Sequence, residues 1–188
     1  MVQVHPRLQT ERLRLRPSLA DDGLLLAQLA GAREVADTLI SIPHPLSLAG
    51  ARSMIAANAA GFQAGRSVHF AMENLVSRDL VGGVELRGID RDHELAELDF
   101  WVAAAEWGQG HATEATSEVL RFGFAELGLN RIQASAMVRN PAAGAVLRRI
   151  GMKQEGVLRQ RVRKWGVFED VALYAALRSD FGPAGGDS

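Results

Sequence analysis

Three apolar runs, at 68–73, 80–87 and 95–102, follow one another with only short polar stretches between them. The connections at 74–79 and 88–93 are too short for the crossover of roughly a dozen residues that parallel neighbours need. The runs therefore predict an antiparallel meander, and the rest of the chain must be arranged around it. Upstream, Leu13-Arg14-Leu15-Arg16 alternates with period two and stops at Pro17, which predicts a first strand. Asp21 and Asp22 then open an apolar helix reaching about Ala30, and Ser47 caps a helix over 48–63 closed by Gly65. Between them, Ile42-Pro43-His44-Pro45 is a loop, since two prolines so close break either regular structure. Downstream come a long helix over 112–127, a strand over 132–138 and a helix opened by Asn140-Pro141 and closed by Gly151. Strands at 156–163 and 168–177 end the pattern. The order predicts an α/β (α+β) fold: one domain over 1–181 with a mixed, mostly antiparallel sheet of about seven strands and helices on both faces. Residues 182–188, rich in glycine, are expected to form a flexible tail.

Composition removes whole classes of chemistry. The 188 residues include no cysteine, which excludes disulfides, thiolate metal sites and a cysteine nucleophile. His5, His44, His69, His93 and His111 show no metal-binding spacing, so no metal is expected. A formal charge of −1 gives no global attraction toward nucleic acid or anionic lipid. The run Arg159-Gln160-Arg161-Val162-Arg163-Lys164 is basic, and reads as a solvated strand face rather than a nucleic-acid surface. No apolar stretch approaches the roughly 20 residues that span a bilayer, and the arginine-rich N-terminus has no secretory apolar segment. A cytoplasmic location is the expectation.

The chemistry concentrates in Ala96 to Ala115, AELDFWVAAAEWGQGHATEA. A strand passes through a glycine-containing turn directly into the long helix. That arrangement gathers free backbone N–H groups of Gly108, Gln109, Gly110, His111, Ala112 and Thr113 at a helix N-terminus. Such an end carries roughly half a positive elementary charge and suits a phosphate or pyrophosphate; a plain tight turn is the other reading. A phosphate loop of the GxxxxGK[ST] type is excluded because no lysine follows, and GxGxxG fails at Thr113. Glu97 and Asp99 share one strand face at period two, where either could accept a proton or pair with an arginine such as Arg87 or Arg139.

The segment EWGQGHATEA resembles the acetyl-CoA pyrophosphate loop of the GNAT N-acetyltransferase superfamily, and most resembles its RimJ/RimL branch. TERLRLRP at 10–17, AELDFWV at 96–102, NPAAGAVLRRIGM at 140–152, EGVLR at 155–159 and DVALYAALRSDF at the end fit that branch in order. The resemblance implies an acetyl-CoA-dependent N-acetyltransferase, acting on protein N-termini or small amines, with a homodimer common among relatives. Backbone groups of Phe100, Trp101 and Val102 would pair with the pantetheine arm. Amides from Trp107 to Thr113, that is Trp107, Gly108, Gln109, Gly110, His111, Ala112 and Thr113, would hold the pyrophosphate, and the Asn140 side chain would fix the arm or the acetyl end. Glu97 would be the general base.

Two positions depart from the pattern. Trp107 stands where the motif has Gln or Arg, which leaves a loop that binds through its backbone. Ala143 stands where relatives often carry a serine proposed to protonate the leaving thiolate. A thiol with pKa near ~8.5 can leave largely unprotonated, so catalysis survives this change. The competing reading that Ala143 supports is a catalytically weakened acetyl-CoA-binding sensor. Tyr174, the one tyrosine, is expected in the core or a pocket wall.

Overall fold

The computed structural model describes residues 4–181; the tail expected at 182–188 lies outside them. Short strands β1 (Leu8–Gln9) and β2 (Leu13–Arg16) lead into helices α1 (Gly23–Leu29), α2 (Arg33–Thr38) and α3 (Leu48–Gln63). The meander follows as β3 (Val68–Asn74), β4 (Leu80–Asp90) and β5 (Leu95–Val102). Helix α4 (His111–Ala125), strand β6 (Arg131–Met137), helix α5 (Pro141–Arg149) and the long hairpin β7 (Lys153–Lys164) and β8 (Val167–Leu177) complete the order. All strands join one sheet in the order β1-β2-β3-β4-β5-β6-β8-β7. Every pairing is antiparallel except β5 with β6.

The sheet has eight strands, not the seven expected. The extra one is β1, which pairs Leu8 with Leu15 and Gln9 with Arg14. Two residues are too few for alternation to show. The six-residue α2 escaped for the same reason, because one and a half turns carry no legible period. Ser47 caps α3 as expected, its side chain accepting from the Gly50 amide at 3.0 Å.

Period two in the strands divides two cores. Leu13 and Leu15 of β2, Phe70 and Met72 of β3, Leu86 of β4 and Leu98 of β5 point to one face and are buried against Val119, Leu120 and Phe122 of α4. Trp101 points to the other face and packs with Leu26, Val35, Ile42 and Ala51 around α1 to α3. Each of these large apolar side chains contributes about 1.5–3 kcal/mol by leaving water. On that second face, the same alternation also turns His69, Glu85, Arg87, Glu97 and Asp99 toward a cleft. Tyr174 is buried in the first core, where its hydroxyl accepts from Arg148 Nη1 at 3.2 Å.

Candidate active site

β5 and β6 begin side by side and then part. Only Leu95, Ala96 and Glu97 find partners, in Arg131, Ile132 and Gln133. Beyond them each strand keeps its other neighbour: β5 stays on β4 as far as Val102, and β6 stays on β8 as far as Met137. A cleft of about 570 Å³ opens at the split. The second half of β5 faces it with backbone groups that β6 does not use, and Phe100, Trp101 and Val102 all line it. These are the three residues whose backbone the family resemblance assigns to an extended ligand arm.

At the mouth of the cleft the chain makes a short 3-10 turn (Ala104–Glu106) and enters α4 through Gly110, whose φ of 84° suits glycine. The first helical bond runs from the Glu114 amide to the Gly110 carbonyl at 3.0 Å, so the amides of His111, Ala112 and Thr113 lie ahead of it. Trp107, Gly108, Gly110, His111, Ala112 and Thr113 line the cleft. Gln109 does not; its carbonyl accepts from Arg12 Nη1 at 2.8 Å on the far side of the loop. Trp107 bends back to donate its indole N–H to the Val102 carbonyl at 2.8 Å, tying the loop to the strand end. The His111 side chain is only 3% exposed, and Nδ1 has no hydrogen-bond partner: Glu106 Oε2 lies 3.3 Å away without the alignment of a bond. A free strand edge, a helix N-terminus and an unpartnered buried ring nitrogen, all on one cleft, fit a ligand that is amide-like along one stretch and anionic at one end.

Glu97 occupies the last position of β5 that pairs with β6, at the apex of the split. Arg87, across on β4, reaches Glu97 Oε1 at 2.9 Å and also binds Asp99 through Nε. Arg139 goes elsewhere, to Asp37 Oδ2 at 2.9 Å and Glu169 Oε1 at 2.7 Å. Burial pushes the Glu97 carboxyl above its ordinary value, with Asp99 adding to the push, while Arg87 and a hydrogen bond with Ser135 pull against it. Glu85 lies directly opposite Asp99 and is likewise raised by burial, opposed by its bond with Ser67. No feature of the sequence singles out Glu85, because one glutamate in a strand is uninformative until the register is known. Gly83, beside it, is required by close approach: a Cβ there would lie 2.6 Å from Trp101 Nε1.

Asn140 caps α5, its Oδ1 accepting from the Ala143 amide at 3.2 Å, and both residues line the cleft. The opposite wall comes from Thr38, Leu39, Ile40, Ser41 and Ile42, with Met54 and Asn58 of α3. Within the expected loop Ile42-Pro43-His44-Pro45, only Ile42 reaches the cleft. Among the described residues, no group of His, Asp and Glu is placed to hold a metal ion, and no helix is long and apolar enough to cross a membrane.

Residues 12–153 match the acetyltransferase (GNAT) domain model, and the chain belongs to that family. It is an acetyl-CoA-dependent N-acetyltransferase by that membership. The chain is 30% identical over 173 residues to the uncharacterized N-acetyltransferase YoaA of Bacillus subtilis, covering 92% of this chain and 97% of that one. Mycobacterium smegmatis RimJ, solved in complex with CoA-disulfide, superposes with a TM-score of 0.85 at 21% identity, covering 96% of this chain and 93% of that one. The spermidine N-acetyltransferase of Vibrio cholerae, solved with CoA and spermine, gives 0.80 at 24% identity over 90% and 98% of the two chains.

Proposed function

We propose that this protein transfers the acetyl group of acetyl-CoA to a primary amine by direct attack in a ternary complex, with Glu97 as general base. The observation that carries this reading is the position of Glu97 at the apex of the split, between the unpaired edge of β5 and the acidic cluster on the sheet face. In this reading the backbone of Phe100 to Val102 aligns the arm of the cofactor as an added strand. The amides of the 108–113 loop hold its pyrophosphate, the expected Trp107 amide being taken by the Ala104 carbonyl at 3.2 Å, and Asn140 contacts the arm near the acetyl end. Acetyl-CoA supplies an activated thioester. Glu97, directly or through a water, takes one proton from the incoming ammonium; the neutral nitrogen attacks the carbonyl, and as the C–S bond breaks and the thiolate leaves, the nitrogen gives up its second proton to water. With alanine at 143, the thiolate takes its proton from water.

The base requirement bears on the acceptor. An α-amine, with pKa near ~8, is partly neutral at pH 7, whereas a lysine amine near ~10.4 costs about 4–5 kcal/mol to neutralise. A single half-buried carboxylate base and no acid partner therefore suit an α-amino group, such as a protein N-terminus, ahead of a lysine side chain; a small-molecule amine of similar pKa is served equally. The test is Glu97→Gln. Turnover is expected to fall about 100-fold or more while acetyl-CoA affinity stays within about twofold. The acid limb of kcat/KM, expected above the ordinary glutamate value of 4.5, should vanish in the variant. Unchanged turnover removes Glu97 from this role. A wild-type protein that binds acetyl-CoA and releases no thiol with any amine establishes the sensor reading, which Ala143 favours.

A further inference from the structure

The loop that enters α4 is braced from behind by the segment Thr10-Glu11-Arg12, a part of the N-terminal motif that the proposed chemistry does not use. Glu114, in the first turn of α4, is the hub. Its Oε1 accepts from Thr10 Oγ1 at 2.5 Å and from the Arg12 amide at 2.8 Å. Its Oε2 accepts from Arg12 Nε at 2.7 Å and lies 2.6 Å from Arg12 Nη2. The third guanidinium nitrogen, Nη1, donates to the Gln109 carbonyl at 2.8 Å. One planar side chain thus joins a helical carboxylate to a loop carbonyl, a task for which a guanidinium is built and an ammonium is not.

Two consequences follow from this geometry. Fixing the Gln109 carbonyl on the outer side of the loop holds the next amide, that of Gly110, and the three behind it in one orientation. The second consequence is electrostatic. A carboxylate in the first turn stabilises the helix, yet it stands where an anionic ligand would feel its repulsion. Arg12 cancels that charge. Burial pushes Glu114 up, but the bonds from Thr10 and Arg12 outweigh it and keep the carboxyl ionised and paired.

We infer that Arg12, held by Glu114 and Thr10, is a positioning residue for the cofactor: it orients the 109–113 loop and neutralises Glu114 so that the loop can accept the pyrophosphate of CoA. This rests on the reading that the loop binds that pyrophosphate. Arg12 itself does not line the cleft.

The experiment compares two acetyl donors, acetyl-CoA and acetyl-pantetheine, which carries the same thioester arm without the pyrophosphate. In Arg12→Met, kcat/KM for acetyl-CoA is expected to fall about 10- to 100-fold, the range for loss of a charge-assisted hydrogen bond. With acetyl-pantetheine, kcat/KM should stay within about twofold, as should the amine KM. Arg12→Lys should recover little of the loss, and it carries the same comparison if Arg12→Met does not fold. A variant that keeps the wild-type preference for acetyl-CoA overturns the assignment of Arg12. Equal loss with both donors also overturns it, since that marks a general structural defect. A wild-type enzyme that uses the two donors equally well overturns the underlying reading of the loop, and Arg12 falls with it.

Discussion

At the scale of single residues, the sequence exposes what period two can expose. Glu97 and Asp99 on one strand face follow directly from alternation, and Arg87 as their partner follows once β4 and β5 are read as a hairpin. Arg139 could not be assigned that way, because its partners Asp37 and Glu169 are 102 and 30 residues away. The same blindness hides the network at the β2–β3 end of the same sheet face. Arg16 donates to Asp22 Oδ2 and Oδ1 at 2.7 and 2.9 Å and to Glu73 Oε2 at 2.7 Å, with all three side chains largely shielded from water. Burial pushes both carboxyls up, but the hydrogen bonds outweigh it: Asp22 is held down by Arg16 and the Leu19 amide, Glu73 chiefly by Arg16. A carboxyl lowered in the folded state contributes stability that is full above its unfolded pKa and is lost as pH falls through the folded one. Between about pH 5 and 8 this contribution is therefore constant, and it disappears on acidification below about pH 4. In Arg16→Met, Glu73 keeps Arg14 and Arg78, but buried Asp22 loses its ion-pair partner, so its pKa rises above the unfolded one and the sign of its contribution reverses. Stability at pH 7 is expected to drop by about 2–3 kcal/mol and to recover partly as the pH is lowered toward 5, followed by urea melts across pH. A variant with the wild-type pH dependence removes the network from the account.

At the scale of elements, long periodic segments were legible and short or distant ones were not. The meander, α3, α4 and the capped α5 declare themselves through turn length, caps and spacing. The split between β5 and β6 does not, because it depends on where two strands whose paired residues lie 36 positions apart stop sharing hydrogen bonds; only family resemblance pointed to it. The basic run in β7 is mostly a solvated face, as its composition indicates, and Lys164 is the exception. It is 7% exposed and donates from Nζ to the Ile42 carbonyl at 2.9 Å, next to the Trp165 ring that Arg33 also approaches. The tip of the β7–β8 hairpin thereby holds the 38–42 segment that walls the cleft opposite β5. Arg139 adds a second tie from the same side, bridging Asp37 of α2 to Glu169 of β8. Lys164→Met keeps most of the side-chain volume and removes the tie. Its expected effect is a rise of about 10-fold in the amine KM, the cost of one charged hydrogen bond, with the acetyl-CoA KM unchanged. Steady-state kinetics with each substrate varied in turn checks this, and an unchanged amine KM places the acceptor away from that wall.

At the scale of the whole molecule, the sheet is joined at its middle by one weak seam. β1 to β5 form one antiparallel block and β6 to β8 another, and the two meet through three residue pairs of a parallel ladder. Helix α4 packs on β2, β4, β5 and β6, so it spans the seam from one face while the cleft opens along it. A ligand laid into the split as an added strand bonds to β5 and fills the gap toward β6 and α5, so it stiffens the seam as well as occupying a pocket. Because the unfolded chain offers no such cleft, binding stabilises the folded state by mass action: acetyl-CoA at 100 times its dissociation constant adds about 2.7 kcal/mol. For a chain of this length that is a rise in Tm of roughly 5–10 °C. ATP shares the nucleotide and phosphates but lacks the arm, and at the same concentration it should give a much smaller shift. The order acetyl-CoA and CoA well above ATP is expected in thermal melts of the wild-type protein. Equal protection by ATP would shift the reading from an arm-binding cleft to a nucleotide site. No protection by acetyl-CoA would mean that the split does not receive an added strand, and the mechanism built on Glu97 at its apex would go with it.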